Sequence, residues 1–282
     1  MSEMRFGFHI SIAGGFRNVR KRAETVGCET LQMFSRNPRG WAAAELDEAD
    51  VVQFRKDMEE AELEPLFVHA PYLPNLAAAE RAVAKRSVAA LVEDLKRCQL
   101  LGVEFLICHV GKALGTEEER AIELVAENVN RIFEAAPNRV KLLLENTAGM
   151  GSEVGYRFEQ IGTIVKKIGD KDRVGVVLDT AHAFEAGYEW RTKTGIDETL
   201  RQFDRAIGLG RLYLLHLNDS KTEFGSRVDR HWHIGQGKIG PEGFRLIVNH
   251  PLLKGLPGIM ETPRTGTADD LRNLKTIRSL VA

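Results

Sequence analysis

The stretch Val174-Gly-Val-Val-Leu-Asp179-Thr-Ala-His182-Ala-Phe184 decides how the chain is read. Its opening is a continuous valine-rich apolar run, the pattern of a parallel strand buried on both faces. The run stops at a carboxylate, and an imidazole follows three residues later. An Asp closing a buried strand and a His in the next turn can both face a site above the sheet. Oxygen and nitrogen donors gathered there suit Zn²⁺ or a similar divalent ion. Asp179 and Thr180 are also ordinary helix N-caps, so the stretch takes its meaning from recurrence along the chain.

Eight short strand-like runs alternate with longer amphipathic ones. The strand candidates are Arg5–Ile10, Thr30–Phe34, Leu66–Ala70, Phe105–Val110, Lys141–Asn146, Val174–Thr180, Leu212–Asn218 and Gly258–Thr262. Helical patterns lie near Gly15–Val26, Asp47–Glu62, Ala78–Leu101, Thr116–Ala135, Tyr156–Ile168, Ile196–Ile207, Pro241–Val248 and Ala268–Val281. Thr116 followed by Glu119 reads as a capping box, and Pro241 as a first-turn proline. No Pro/Ser-rich linker or low-complexity segment divides the units. The pattern predicts a single α/β domain over residues 1–282, a closed (β/α)₈ TIM barrel.

From the third strand onward, the last polar residues are His69, His109, Glu145, Asp179, His216 and Glu261, spaced 40, 36, 34, 37 and 45 residues apart. Each interval is about one βα unit, and the longest contains an insertion between Asn218 and Gly240. Equivalent strand ends in a barrel ring its C-terminal mouth, where such enzymes keep their chemistry. Six ligand-type side chains are therefore expected to converge there. Within the insertion, Gly225-Ser-Arg-Val-Asp229-Arg-His231-Trp-His233 offers a carboxylate with imidazoles two and four residues on. With His182 these can hold a further ion.

Composition sets limits. The 282 residues, 43% hydrophobic and 28% charged, describe a soluble globular chain. No eighteen-residue apolar run suggests a membrane span, and Met1-Ser-Glu-Met-Arg5 lacks the apolar segment of a signal peptide. Cys28, Cys98 and Cys108 form no paired motif, as expected of reduced cysteines in a cytoplasmic protein. The net charge of −1 excludes a polycation that coats nucleic acid indiscriminately. Three divalent ions would move it to roughly +5, concentrated at one place, so a phosphate-bearing substrate stays open. Nothing calls for a dimer, and a monomer is expected.

Six motifs carry a resemblance that covers essentially the whole chain. They are Phe67-Val-His69-Ala-Pro-Tyr72-Leu, Leu144-Glu145-Asn-Thr-Ala-Gly149, Leu178-Asp179-Thr-Ala-His182-Ala-Phe184-Glu-Ala-Gly187, His216-Leu-Asn-Asp-Ser-Lys221, Gly225-Ser-Arg-Val-Asp229-Arg-His231 and Met260-Glu261-Thr262. In this order and spacing the chain resembles the zinc-dependent apurinic/apyrimidinic endonucleases of the endonuclease IV type. The resemblance implies three Zn²⁺ ions. Glu145 would bridge two, one completed by His69 and His109, the other by Asp179, His216 and Glu261. His182, Asp229 and His231 would hold the third.

The implied activity is hydrolysis of double-stranded DNA immediately 5′ of an abasic site, leaving a 3′-hydroxyl and a 5′-deoxyribose phosphate, with removal of blocked 3′ ends. Water activated by the ions would attack phosphorus. Tyr72, Leu73 and Arg39 are expected to wedge into the bent DNA, and Arg36, Arg39, Arg227, Arg230 and Lys238 to contact phosphates. The chain departs from the family in His109-Val-Gly-Lys112, where His-Pro-Gly is usual, and in Gln236, where Glu is common. His233 is a competitor for the role of His231, although the resemblance favours His231. His9 is either a group behind the ligands, a phosphate contact or a core histidine, and His250 reads as structural. Two other functions fit less well. A metal-dependent sugar isomerase or epimerase would need only one or two ions and no wedging loop, and a silent DNA-damage binder would need no ligand ring.

Overall fold

A computed structural model describes residues 3–282. Eight parallel strands close a barrel: β1 (Phe6–Ile10), β2 (Thr30–Phe34), β3 (Leu66–His69), β4 (Phe105–His109), β5 (Lys141–Glu145), β6 (Val174–Asp179), β7 (Leu212–His216) and, after a two-stranded excursion, β10 (Gly258–Met260). Each pairs with its sequence neighbours, and β10 returns to β1. Helices fill the connections: α1 (Val19–Thr25), α2 (Glu48–Glu60), α3 (Arg81–Leu101), α4 (Glu118–Ala135), α5 (Phe158–Lys167), α6 (Thr180–Ala186), α7 (Lys193–Ala206), α8 (Gly240–Val248) and α9 (Thr267–Ser279). None of them is long and apolar enough to cross a membrane.

The two-residue period of a strand divides the core into two populations. Val68, Leu106, Leu142, Leu144, Val176, Leu178 and Leu215 point outward into the layer shared with the helices. Phe67, Ile107, Leu143, Val177, Leu214 and Ile259 point inward and form a separate plug, each 0% exposed. Burying each plug residue stabilises the fold by about 1.5–3 kcal/mol. Every plug residue lies two positions before one of the six strand-end polar residues: Phe67 before His69, Ile107 before His109, Leu143 before Glu145, Val177 before Asp179, Leu214 before His216 and Ile259 before Glu261. The same alternation that fills the barrel therefore aims those six side chains over its mouth. At Gly7 on β1, an added Cβ would meet the Thr30 carbonyl oxygen at 1.9 Å, so only glycine lets β1 approach β2 this closely.

The expected elements are present with ends displaced by a few residues, as helix and strand termini commonly are. Two features go beyond them. The short helix α6 follows β6 directly, with the Asp179 carboxylate accepting from the His182 N–H at 2.9 Å, and stops where Gly187 adopts φ 102°. The insertion after β7 forms an antiparallel pair, β8 (Asp219–Ser220) with β9 (His231–Trp232). The capping box expected at Thr116 does not form. A tight turn joins Thr116 N–H to the Ala113 carbonyl with Leu114 and Gly115 at positive φ, so α4 starts after Glu117, which makes no side-chain cap bond.

Arg36 also departs from expectation. It is 4% exposed, and its guanidinium lies against the buried Asp94 carboxylate of α3 at 2.9 Å and 3.1 Å. Asp94 additionally accepts from Ser35 Oγ at 2.6 Å. The pair ties the loop after β2 to α3 and leaves Arg36 unable to reach a phosphate. Asp94→Ala strands a buried guanidinium, and its expected cost is about 3–5 kcal/mol. Urea unfolding measures this; a loss below about 1 kcal/mol would contradict a structural role for the pair.

Candidate metal centre

Strand register brings the six strand-end residues together. His109 lies opposite Glu145 across β4 and β5, and Asp179 lies opposite His216 across β6 and β7. Glu145, 0% exposed, stands at the centre. Its Oε2 is 3.0 Å from His69 Nε2 and 3.4 Å from His109 Nε2, and its Oε1 is 2.8 Å from His216 Nδ1. His216 Nδ1 also faces Glu261 at 3.4 Å and Asp179 at 3.7 Å. Three donor groups result, with donor atoms within 4.8 Å of one another: His69/His109/Glu145, Glu145/Asp179/His216/Glu261 and Asp179/His182/His231.

The third group differs from the expected trio of His182, Asp229 and His231. Asp179 Oδ2 stands 3.5 Å from His231 Nε2. Asp229, on the more exposed insertion loop, is 3.4 Å from His182 and 3.9 Å from His231. Asp229 thus borders the group while Asp179 is shared between two. His233 turns away, its Nδ1 at 3.2 Å from the Asn273 amide, which leaves His231 as the imidazole at the mouth. His250 bonds Asp197 at 3.1 Å and accepts from Leu252 N–H, a structural role.

Hydrogen bonds behind the imidazoles fix which nitrogen faces inward. Nδ1 of His69 reaches the Ala70 carbonyl at 2.7 Å, that of His182 the Asn146 carbonyl at 2.9 Å, and that of His231 the Glu261 carbonyl at 3.1 Å. A carbonyl only accepts, so each Nδ1 carries the proton and each neutral ring presents a bare Nε2 to the mouth. Nε2 of His182 and Nε2 of His231 then face each other at 3.2 Å. Two opposed lone pairs at that distance repel unless a proton or a metal ion lies between them. The donor set therefore fits divalent metal ions, and a mixture of imidazole and carboxylate without thiolate favours Zn²⁺-type coordination. Cys108 at the mouth is no competitor, because burial pushes its thiol well above the usual range.

Electrostatics follows from the crowding. Burial opposes charge on His216, but Glu261, Glu145 and Asp179 outweigh it and push the imidazole up to about 9. His182 is raised for the same reason against burial, chiefly by Asp179 and Asp229. Burial works against ionised Glu145, yet His216 and His109 hold its carboxyl well below the usual range. For Asp229, His182 overcomes burial and lowers it to about 2.

Around these groups lies a cavity of about 690 Å³, lined by His69, His109, His182, Asp229, His231 and Glu261 and rimmed by Tyr72 and Leu73. Tyr72 is 72% exposed, and Leu73 is 39% exposed. Arg39 is exposed and lines an adjoining recess of about 610 Å³ with His9 and Arg264. Arg230 is exposed and donates to the carbonyl of Asp229 at 2.7 Å. Arg227 lies over the Tyr156 ring and donates to the Gly149 carbonyl at 2.9 Å, and Lys238 pairs with Glu223.

Residues outside the strand-end pattern complete the site. The Asn218 amide donates to Asp179 Oδ2 at 2.6 Å and accepts from Glu261 N–H at 2.7 Å. Glu185, buried on α6, accepts from Ser220 Oγ at 2.7 Å, Thr222 Oγ1 at 3.1 Å and Arg230 N–H at 3.2 Å. One carboxylate oxygen thus anchors the loop that carries Asp229 and His231. The hint in the sequence was the acidic Glu185 one helical turn beyond His182.

Comparison with known proteins agrees with this geometry. A family model described as a xylose isomerase-like TIM barrel matches residues 20–278. A protein named probable endonuclease 4 from Methanoculleus marisnigri is 45% identical over 275 residues, covering 97% of this chain and 98% of that one. The crystal structure of endonuclease IV from Thermus thermophilus superposes with a TM-score of 0.87 at 40% identity, covering 98% of both chains. A D-tagatose 3-epimerase-like protein superposes with a TM-score of 0.74 at 19% identity, covering 98% of this chain and 97% of that one, a likeness of fold alone. On fold, length and sequence, the chain belongs to the endonuclease IV family within the xylose isomerase-like TIM barrels.

Proposed function

We propose that residues 1–282 act as one catalytic domain, a monomeric cytoplasmic DNA-repair hydrolase. It cuts the phosphodiester bond 5′ of an abasic site, leaving a 3′-hydroxyl and a 5′-deoxyribose phosphate, and also clears blocked 3′ ends. The observation that carries the reading is the convergence of three donor groups beside a cavity with an exposed aromatic rim. His69, His109 and Glu145 hold one Zn²⁺. Glu145, Asp179, His216 and Glu261 hold a second. His182, His231 and Asp229 hold a third, with Asp179 alongside. Bound, such ions lower the pKa of water and neutralise charge growing on a phosphate and its leaving oxygen.

The side chains do the rest. Glu145, Asp179, Asp229 and Glu261 would by themselves repel a DNA phosphate. With three divalent ions bound, those four negative charges would become about +2, which would draw the phosphate to the mouth. The pinned imidazoles keep their donor atoms in place, so the site needs little rearrangement when substrate arrives. A nucleotide without a base stacks poorly and is extruded at lower cost than a normal one. Tyr72 and Leu73, with Arg39 nearby, fill the gap left in the duplex and hold it bent. Arg230 contributes a backbone phosphate contact. The third donor group and the Tyr72–Leu73 rim favour this reading over a sugar isomerase or epimerase.

A duplex carrying one tetrahydrofuran lesion, which cannot undergo β-elimination, should be nicked 5′ of the lesion by metal-replete protein. Glu145→Gln should lower incision by about 10²–10³-fold with unchanged circular dichroism. Uncut lesion duplex, or a fully active variant, would contradict the proposal. A second expectation concerns pH. With metal removed, His216 is raised to about 9, so its stabilising charge is fully present below its ordinary pKa of about 6.5 and is lost as pH rises to about 9. Metal displaces that proton. Metal-free protein should therefore lose stability across this window while zinc-loaded protein does not, and thermal unfolding at stepped pH reads the difference; parallel curves would count against it.

A further inference from the structure

The six strand ends leave β1 and β2 unaccounted for, and both put a polar residue into the barrel. His9 and Gln32 lie opposite each other in register, and Gln32 is 0% exposed. Its amide has three partners. Oε1 lies 2.7 Å from His216 Nε2, and Nε2 donates to Glu261 Oε1 at 2.5 Å and to His9 Nδ1 at 2.9 Å.

We propose that Gln32 is a positioning residue for the ion held by His216 and Glu261, selecting the nitrogen that His216 offers and the angle at which Glu261 enters. The inference rests on the metal reading above. Amide chemistry carries it. Turned the other way, the amide would set its oxygen against the Glu261 carboxylate and its N–H groups against His216, losing both contacts. In the observed orientation the amide oxygen can only accept, so His216 carries its proton on Nε2 and presents Nδ1 to Glu145, Asp179 and Glu261. The other three imidazoles with fixed orientation are pinned through Nδ1 by backbone carbonyls. Among these ligand imidazoles His216 is the one pinned through Nε2, and by a side chain that mutation can remove. Gln32 also bonds Glu261, so one group aligns two ligands of a single ion that stand side by side on the paired strands β7 and β10.

Gln32→Met keeps length and volume and removes the hydrogen bonds, while Gln32→Glu keeps shape and sets a second carboxylate against Glu261. The test titrates zinc-loaded parent and variants with a chelator and follows retained zinc by elemental analysis, alongside urea unfolding. Both variants should hold one zinc equivalent about 10–100-fold more weakly and the others as the parent does, with Gln32→Met unfolding cooperatively. Zinc retention matching the parent in Gln32→Met would overturn the inference alone. A parent that takes up no zinc would overturn the metal reading and this inference with it. Nitrogen NMR of the zinc-loaded parent tests it without any variant: His216 should carry a solvent-protected proton on Nε2, and a proton on Nδ1 would overturn the assignment.

Discussion

Glu145 is a carboxylate with no exposure to water, and both its oxygens face imidazoles of other strands. A lone carboxylate so placed would carry a desolvation penalty of several kcal/mol. Attraction to its neighbours must offset that penalty, and attraction at 2.8–3.4 Å demands that four strands end at matched heights. The barrel meets the demand through register. With Leu143 in the apolar plug, Glu145 two residues later has to point up its axis, and the pairing of β5 with β4 sets His109 beside it. Fold and site are thus one arrangement, since a one-residue slip of β5 would turn Leu143 and Glu145 together into the helical layer.

The outer groups make that arrangement rigid. Carbonyls of Ala70, Asn146 and Glu261 hold three imidazoles, Asn218 spans Asp179 and Glu261, and Glu185 grips the insertion. Left to themselves, the groups at the mouth are poorly matched, with four carboxylates crowded around protonated His216 and His182 and two Nε2 atoms opposed at 3.2 Å. Natural chains break local rules mainly where function requires it. Here the mismatch is one of missing positive charge, which is what divalent ions supply. The donor groups line the cavity that Tyr72 rims, and a DNA backbone would approach them from that side.

Much of this was legible in the residues. The alternation of eight strand-like and helical runs led to the barrel, and the recurrence of six ligand-type residues at one βα-unit spacing led to its ring. Less legible were features made by groups distant in sequence. Helix α6 is seven residues long, too short for a periodic signal, and β8 and β9 have two residues each. Arg36 reads as a loop cation because its partner Asp94 is 58 residues away. Gln32 reads as a polar residue in an apolar strand, since the amide's partners His216 and Glu261 meet it only when the barrel closes. The preference for His231 over His233 came from resemblance, and the turn of His233 toward Asn273 on α9 supplies its physical basis.

The central claim is that these imidazoles and carboxylates grip a cluster of ions, and X-ray absorption at the zinc edge of the purified, zinc-loaded protein tests it most directly. The account predicts a nitrogen and oxygen shell near 2.0–2.2 Å, no sulfur shell near 2.3 Å, and metal–metal scattering at about 3.5–4 Å. Isolated zinc with no metal neighbour, or a shell of sulfur, would contradict it.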